Sequence, residues 1–137
     1  MIIHGLSFPD ELHYLVEHDV WARLDADGLA TVGIAASGIK LSGEIYMCRP
    51  RPVGTEVVQR KAIGVVELAK AIVSVKCAIS GTVVAVNPKL EVSPELVHLD
   101  PYGEGWIARL LPNNLATDRT RLVQGEALRA AMQCERP

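Results

Sequence analysis

Aromatic side chains are scarce in this 137-residue chain: two Trp, three Tyr and one Phe, 4% of the total. A core therefore has to be built mostly from Val, Ile, Leu and Ala. No apolar run approaches the roughly 18 residues a spanning helix needs. The opening MIIHGLSFPDELHY lacks a basic leader and a clean apolar segment, so neither a signal peptide nor membrane association is expected. Neither sign of charge is in large excess: 14 Lys and Arg face 16 Asp and Glu, a net charge of -2, with no long block of one sign. That balance gives no general pull toward nucleic acid or an anionic membrane. Cys48, Cys77 and Cys134 are few, odd in number and too widely spaced for a zinc knuckle. A reduced, cytoplasmic setting is expected. His4, His13, His18 and His98 show no ligand spacing on a clear helix, so no metal site is expected. No Ser-His-Asp order and no phosphate loop stand out, so no catalytic residue is assigned.

What is present points to β structure. Apolar residues make up 49% of the chain, enough for a folded core, and the length suits one domain over 1–137. Strand-like runs follow one another from about residue 20 to 111: LATVGIAA, GEIYMCRP, EVVQ, IGVVEL, AIVSVKC and GTVVAVN. Glycines recur between them, as in a sandwich or barrel of short strands. AASGIKLSGEI, residues 35–45, reads either as a helical turn or as a loop. PELVH, from Pro94 to His98, follows Ser93 and has the proline-first pattern of a short helix. The tail from Thr117 to Gln133 spaces Leu122, Leu128 and Met132 for one helix over about 117–133, which Gly125 weakens by about 1 kcal/mol. Ser42-Gly43 and Ser80-Gly81 each precede a strand run, an echo that fits either paired half-motifs or chance.

The stretch VVELAKAIVSV sets Lys70 between two apolar runs. A salt-bridged core lysine, a solvent-facing lysine in mid-strand and a lysine at a hairpin tip all satisfy the pattern. If IGVVEL and AIVSV pair antiparallel, Ala69 and Lys70 fall at the reversal. Neither residue favours the positive φ that a tight two-residue loop wants, so local turn chemistry does not select it.

Three longer stretches carry a resemblance. Glu67-Leu68-Ala69-Lys70-Ala71 is similar to the Glu-Ser-Val-Lys-Ala motif of the glycine cleavage H proteins. AISGTVVAVNPKL (78–90) and SPELVHLDPYGEGWIARL (93–110) resemble the segments that follow it in that family, and Tyr14, His18 and Trp21 match more loosely. The chain is identified as a member of this lipoyl-carrier family on about Tyr14 to Leu111, the core of the domain.

The resemblance implies a mainly β barrel-sandwich hybrid with the lysine on a hairpin turn and small helices, one of them C-terminal. It implies covalent lipoate on Lys70, with Glu67 read by a lipoate-attaching enzyme. The arm so formed is on the order of 14 Å long. The protein is then a carrier and not an enzyme. Lys76, inside the returning strand, is expected to stay unmodified. Asp100–Trp106 is expected to close the fold and bring Trp106 into the core. Cys48 and Cys77 are expected to be small buried side chains, with redox exchange toward the arm as the lesser alternative.

The motif departs from the family at Leu68 and Ala69, in the run after Ala71 and in MCRPRPVG. These departures, together with the strand cysteines Cys48 and Cys77, lean the expectation toward an H-like lipoate-binding protein that serves heterodisulfide-reductase-like enzymes of sulfur oxidation. The alternative is a glycine cleavage H protein working with glycine decarboxylase, aminomethyltransferase and dihydrolipoyl dehydrogenase. The intact Glu-x-x-Lys-Ala argues against an unlipoylated homologue.

Overall fold

The computed structural model describes residues 1–38 and 45–135. Among the described residues eleven short strands and three α-helices follow in chain order. They are β1 (Ile2–Ile3), β2 (Leu6–Ser7), β3 (His13–Leu15), β4 (Val20–Leu24), β5 (Ala30–Ile34), β6 (Ile45–Pro50), β7 (Glu56–Val57) and β8 (Ala62–Leu68). Then come β9 (Ile72–Lys76), β10 (Gly81–Val86), α1 (Leu96–Leu99), β11 (Ala108–Pro112), α2 (Leu115–Asp118) and α3 (Glu126–Glu135). The large sheet has the order β3-β4-β5-β11-β10-β7, a three-stranded sheet has the order β6-β8-β9, and β1 pairs with β2. Neighbouring strands are antiparallel throughout. The first half of the 35–45 stretch forms a 3-10 turn over Ala36–Gly38. The rest of it, with the Ser42-Gly43 half of the echo, lies outside the described residues.

Period-two alternation gives each strand one apolar face, and the two larger sheets close on each other through those faces. Val20, Ala22, Val32 and Leu110 of the large sheet meet Cys48, Ile63, Val66 and Val75 of the small one in a single buried cluster. The other face of β3-β4-β5 holds the aromatics. Tyr14 is paired with Trp21 and Trp21 with Gly33 in one cross-strand row. Phe8, Tyr14 and Trp21 pack there with Leu128 and Met132 of α3. Gly33 makes room for the indole: a Cβ at that position would stand 2.6 Å from Trp21 Cζ2.

Two expectations are corrected. Trp21, not Trp106, is the fully buried indole; Trp106 is half-buried and packs at the edge of the aromatic cluster. The tail is not one helix. It runs as α2, a 3-10 turn over Arg119–Arg121, an extended Leu122, a bridge between Val123 and Tyr14, and α3. Asp118 is drawn inward to Ser80, Val123 exchanges backbone hydrogen bonds with Tyr14 at 2.8 and 2.9 Å, and Gly125 takes φ +61°. These tertiary bonds outweigh a helix propensity of a few tenths of a kcal/mol per residue.

Candidate functional site

β8 and β9 form a hairpin in which Glu67 pairs with Ile72, and Leu68 N–H donates to Ala71 C=O at 2.8 Å. Ala69 and Lys70 make the reversal, and both are exposed. Neither has positive φ; among non-glycine described residues only His4, Asp19 and Arg60 do. The turn therefore avoids the primed geometries that these residues disfavour. The strands beneath hold it: Val66 and Val75 are buried in the main cluster. Lys70 makes no ion pair or hydrogen bond among the described residues.

Glu67 is half-buried and shares a cross-strand row with Met47 and Ile72. It does not pair with Lys70. The structure thus places the two sequence-marked residues on one hairpin but keeps their charges apart. Lys76 sits at the far end of β9, where its Nζ donates to Ser74 Oγ at 3.1 Å.

The opposite face of the hairpin looks into a cleft of about 430 Å³. Val66, Leu68 and Val73 form its near wall, and Val20 and Ile34 line the far side. Glu17, His18 and Asp19 belong to the lining as well, and the Arg60 guanidinium grips Glu17 at 2.9 Å. Nothing local in the sequence marks this cleft, because its walls come from segments about 50 residues apart that only the sheet packing brings together. His18 lines it. His13 lies on β3, and its pKa is lowered by burial and by the nearby Arg119. Among the described residues no three His, Cys, Asp or Glu side chains are grouped to hold a metal.

Cys48 lies on β6 and Cys77 directly follows β9. Cys48 and Cys77 are both buried, and burial pushes their thiols up to about 11 and about 12. They are poor partners for thiol exchange at neutral pH.

The Asp100–Trp106 segment works as a clasp. Asp100 Oδ2 accepts from Glu104 N–H at 2.9 Å, and Asn87 Nδ2 donates to the carbonyls of Glu104 and Trp106 at 2.7 and 2.8 Å. Tyr102 Oη donates to Ser7 C=O and accepts from Ala36 N–H, both at 2.8 Å. Trp21 Nε1 donates to Pro101 C=O at 3.1 Å. Gly105 is required for the close approach, since a Cβ there would overlap the carbonyl of Leu96.

Two antiparallel sheets closed into a sandwich, with an exposed lysine at the end of a hairpin, define the lipoyl-carrier class. The family model for the glycine cleavage H-protein matches residues 12–135. The chain is 44% identical over 110 residues to the glycine cleavage system H protein of Chromobacterium violaceum, covering 80% of this chain and 85% of that protein. It is 41% identical over 122 residues to glycine cleavage system H protein 2 of Aquifex aeolicus, covering 89% and 76%. A crystal structure of an H protein from Mycobacterium marinum has the same fold, with a TM-score of 0.75, 23% identity, and 90% and 98% coverage. The chain belongs to the glycine cleavage H-protein family. Members of that family are carriers with lipoate covalently bound to a lysine, and are not themselves catalysts. No helix among the described residues is long and apolar enough to cross a membrane.

Proposed function

We propose that the chain is a single carrier domain that bears lipoate on Lys70 and works in glycine cleavage. The observation that carries the reading is the placement of Lys70: exposed, at the end of a braced hairpin, with no ion pair on its amine among the described residues. The residues fit the group. Ala69 and Ala71, exposed on either side, leave Nζ approachable by an attaching enzyme, and amide formation removes the Lys70 charge. Bound there, lipoate supplies a strained disulfide that accepts an aminomethyl group as it is reduced and is reoxidised after the carbon has passed on.

The chain's own work is presentation. Sheets packed beneath the hairpin fix the tether point, so the free end samples a small volume at high effective concentration. Val66, Leu68 and Val73 offer an apolar wall where the hydrocarbon can leave water. Glu67, without an ion-pair partner among the described residues, is the acid that an attaching enzyme reads.

The sulfur-oxidation expectation rested on Leu68, Ala69 and Ile72 as a more apolar rim beside Lys70, on the strand cysteines Cys48 and Cys77, and on MCRPRPVG. Leu68 instead lines the cleft, and Ala69 adds one methyl group. Cys48 and Cys77 are buried, Ile72 alone of the three rim residues is a large exposed apolar side chain, and the relatives are named for glycine cleavage. The partners are then glycine decarboxylase, aminomethyltransferase and dihydrolipoyl dehydrogenase, met in the cytoplasm, where buried Cys48 and Cys77 remain thiols. The test is the intact mass and peptide map of protein from a lipoate-replete native host, followed by glycine–bicarbonate exchange with glycine decarboxylase. One lipoyl group on Lys70 and ready exchange are expected. An unmodified Lys70 removes the site. A lipoylated chain idle in exchange, yet turned over by heterodisulfide-reductase-like enzymes, reinstates the sulfur-oxidation reading.

A further inference from the structure

Arg60 stands in a backbone conformation that few side chains adopt. Its φ is +77°, in the left-handed region, where only His4 and Asp19 join it among the described non-glycine residues. An L side chain there crowds its own backbone, and such a residue persists where its surroundings hold it. Two sets of contacts hold Arg60. Its N–H donates to Cys77 C=O at 2.9 Å, and Cys77 N–H donates to Lys61 C=O at 2.7 Å. The turn that leads into β8 is thereby stitched to the chain leaving β9. The guanidinium meets both carboxylate oxygens of Glu17, Nε at 2.9 Å and Nη2 at 3.4 Å.

Glu17 belongs to the 3-10 turn Val16–His18 between β3 and β4. That turn is pinned to the large sheet: Asp19 C=O accepts from Ala35 N–H at 2.8 Å, and Ser37 Oγ donates to Asp19 Oδ1 at 2.7 Å. Glu17 lines the cleft together with Leu68 and Val75. Leu68 adjoins the Lys70 reversal, while Val75 pairs with Gly64 toward the base of the hairpin. Arg60 therefore springs from the end of the cleft remote from Lys70, and its side chain crosses to the opposite wall. No other described ion pair joins these two walls.

We propose that the Arg60–Glu17 pair is a strap across the base of the cleft. Closed, it holds the base of the β8-β9 hairpin against the β3-β4 turn and keeps the cleft narrow. Released, it lets the hairpin lean away and the walls part. The two side chains are 44% and 41% exposed, so the pair is screened by salt and opens readily. Two turns, each pinned by its own backbone bonds, can separate in this way without unfolding either sheet. Glycine would meet the positive φ at residue 60 without strain, but only a long cation reaches Glu17. The strap does not depend on what Lys70 carries.

Amide hydrogen exchange of the full chain, read by mass spectrometry on the peptide covering residues 72–76, follows the hairpin whether or not Lys70 is modified. The variants are Glu17→Gln, Arg60→Gly and the reversal Glu17→Arg/Arg60→Glu. Glu17→Gln leaves the Arg60 backbone untouched. Glu104→Gln, which removes a surface pair with Lys89 elsewhere, is the control. At about 20 mM salt, exchange over 72–76 is expected to be about threefold or more faster in both single variants, unchanged in the control and returned toward the native rate in the reversed pair. At about 300 mM salt the native chain should approach the single variants. Native rates in both single variants overturn the strap. Acceleration in Arg60→Gly but not in Glu17→Gln assigns Arg60 to its turn alone and overturns it too. Faster exchange spread evenly over the whole chain reports a loss of global stability rather than an opening cleft, and is equally fatal. None of these outcomes bears on lipoate at Lys70, which the intact mass of the native chain reports separately.

Discussion

Asp118 and Ser80, 38 residues apart, are joined twice: the carboxylate accepts from Ser80 N–H at 2.6 Å and from Ser80 Oγ at 3.3 Å. Gln59 completes the knot. Its Nε2 donates to the carbonyls of Ala78 and Asp118, and its N–H donates to Ser80 Oγ. All three residues are buried. Asp118→Ala strands a buried N–H and a hydroxyl, and its expected cost is about 2–3 kcal/mol. Urea unfolding of the variant should show this as a lower midpoint with an unchanged slope. An unshifted midpoint refutes the role of the knot.

The two indoles should separate cleanly. Trp21→Ala empties a fully buried site, removes hydrogen bonds to Ile34 and Pro101, and should cost about 3–5 kcal/mol. Trp106→Ala gives up a half-buried ring and should cost about 1–2 kcal/mol. Gly33→Ala drives a methyl group into the Trp21 ring and should destabilise by about 1–3 kcal/mol. Thermal or urea melts that rank Trp106→Ala as the worst of the three contradict the assignment of the core.

Strand segments were legible in the sequence because period-two alternation and glycine spacing are local signals, whereas the Lys70 reversal was left open by local turn chemistry and was read through the family motif. The role of the tryptophans was not. The glycines near Trp106 suggested an entry into the core, but the burial of Trp21 depends on Gly33 in the neighbouring strand, a pairing that register alone creates. The tail misled for the same reason: Leu122, Leu128 and Met132 keep a helical spacing, yet Asp118 and Val123 are claimed by Ser80 and Tyr14. Of the site, Lys70 and Glu67 could be read from the motif, whereas the cleft and the row Met47, Glu67, Ile72 could not.

Lys70→Arg keeps a cation at the tip and removes the primary amine. It should abolish lipoylation while leaving stability within about 0.5 kcal/mol, because the side chain is exposed and makes no ion pair among the described residues. Peptide mapping of the variant from a lipoate-replete host is expected to find Lys76 unmodified as well. Lipoate on Lys76 in that variant shows that the attaching enzyme tolerates a site inside β9.

Burial of the thiols has a consequence at alkaline pH. Cys48 and Cys77 titrate at about 11 and about 12 in the folded chain, above the value of about 8.5 for an unfolded thiol. The folded state therefore holds its protons longer. The stability from this source is fully present below about pH 8.5 and declines as pH rises from there through the folded values. Urea midpoints should stay level from pH 7 to about 8 and fall between about pH 9 and 11, and a Cys77→Ala variant should fall less steeply across that range. In native protein both thiols should resist a water-soluble disulfide reagent at pH 8 and react only on unfolding; prompt native labelling of either residue contradicts the burial.

The departures at Leu68 and Ala69 permit a direct test of what the hairpin discriminates. Replacing them with the serine and valine typical of the family, Leu68→Ser/Ala69→Val, changes one cleft-lining side chain and one exposed methyl group. Loss of half-buried leucine surface should lower stability by about 1 kcal/mol. With Lys70 lipoylated, KM for the carrier in glycine–bicarbonate exchange should move by less than about threefold, since Leu68 is half-buried along the cleft and Ala69 contributes one methyl group, and threefold corresponds to only about 0.7 kcal/mol. A gain of tenfold or more in the double variant would mean that the native pair works against the decarboxylase. The apolar hairpin would then be tuned for another partner, and the choice of pathway would turn on these two residues after all.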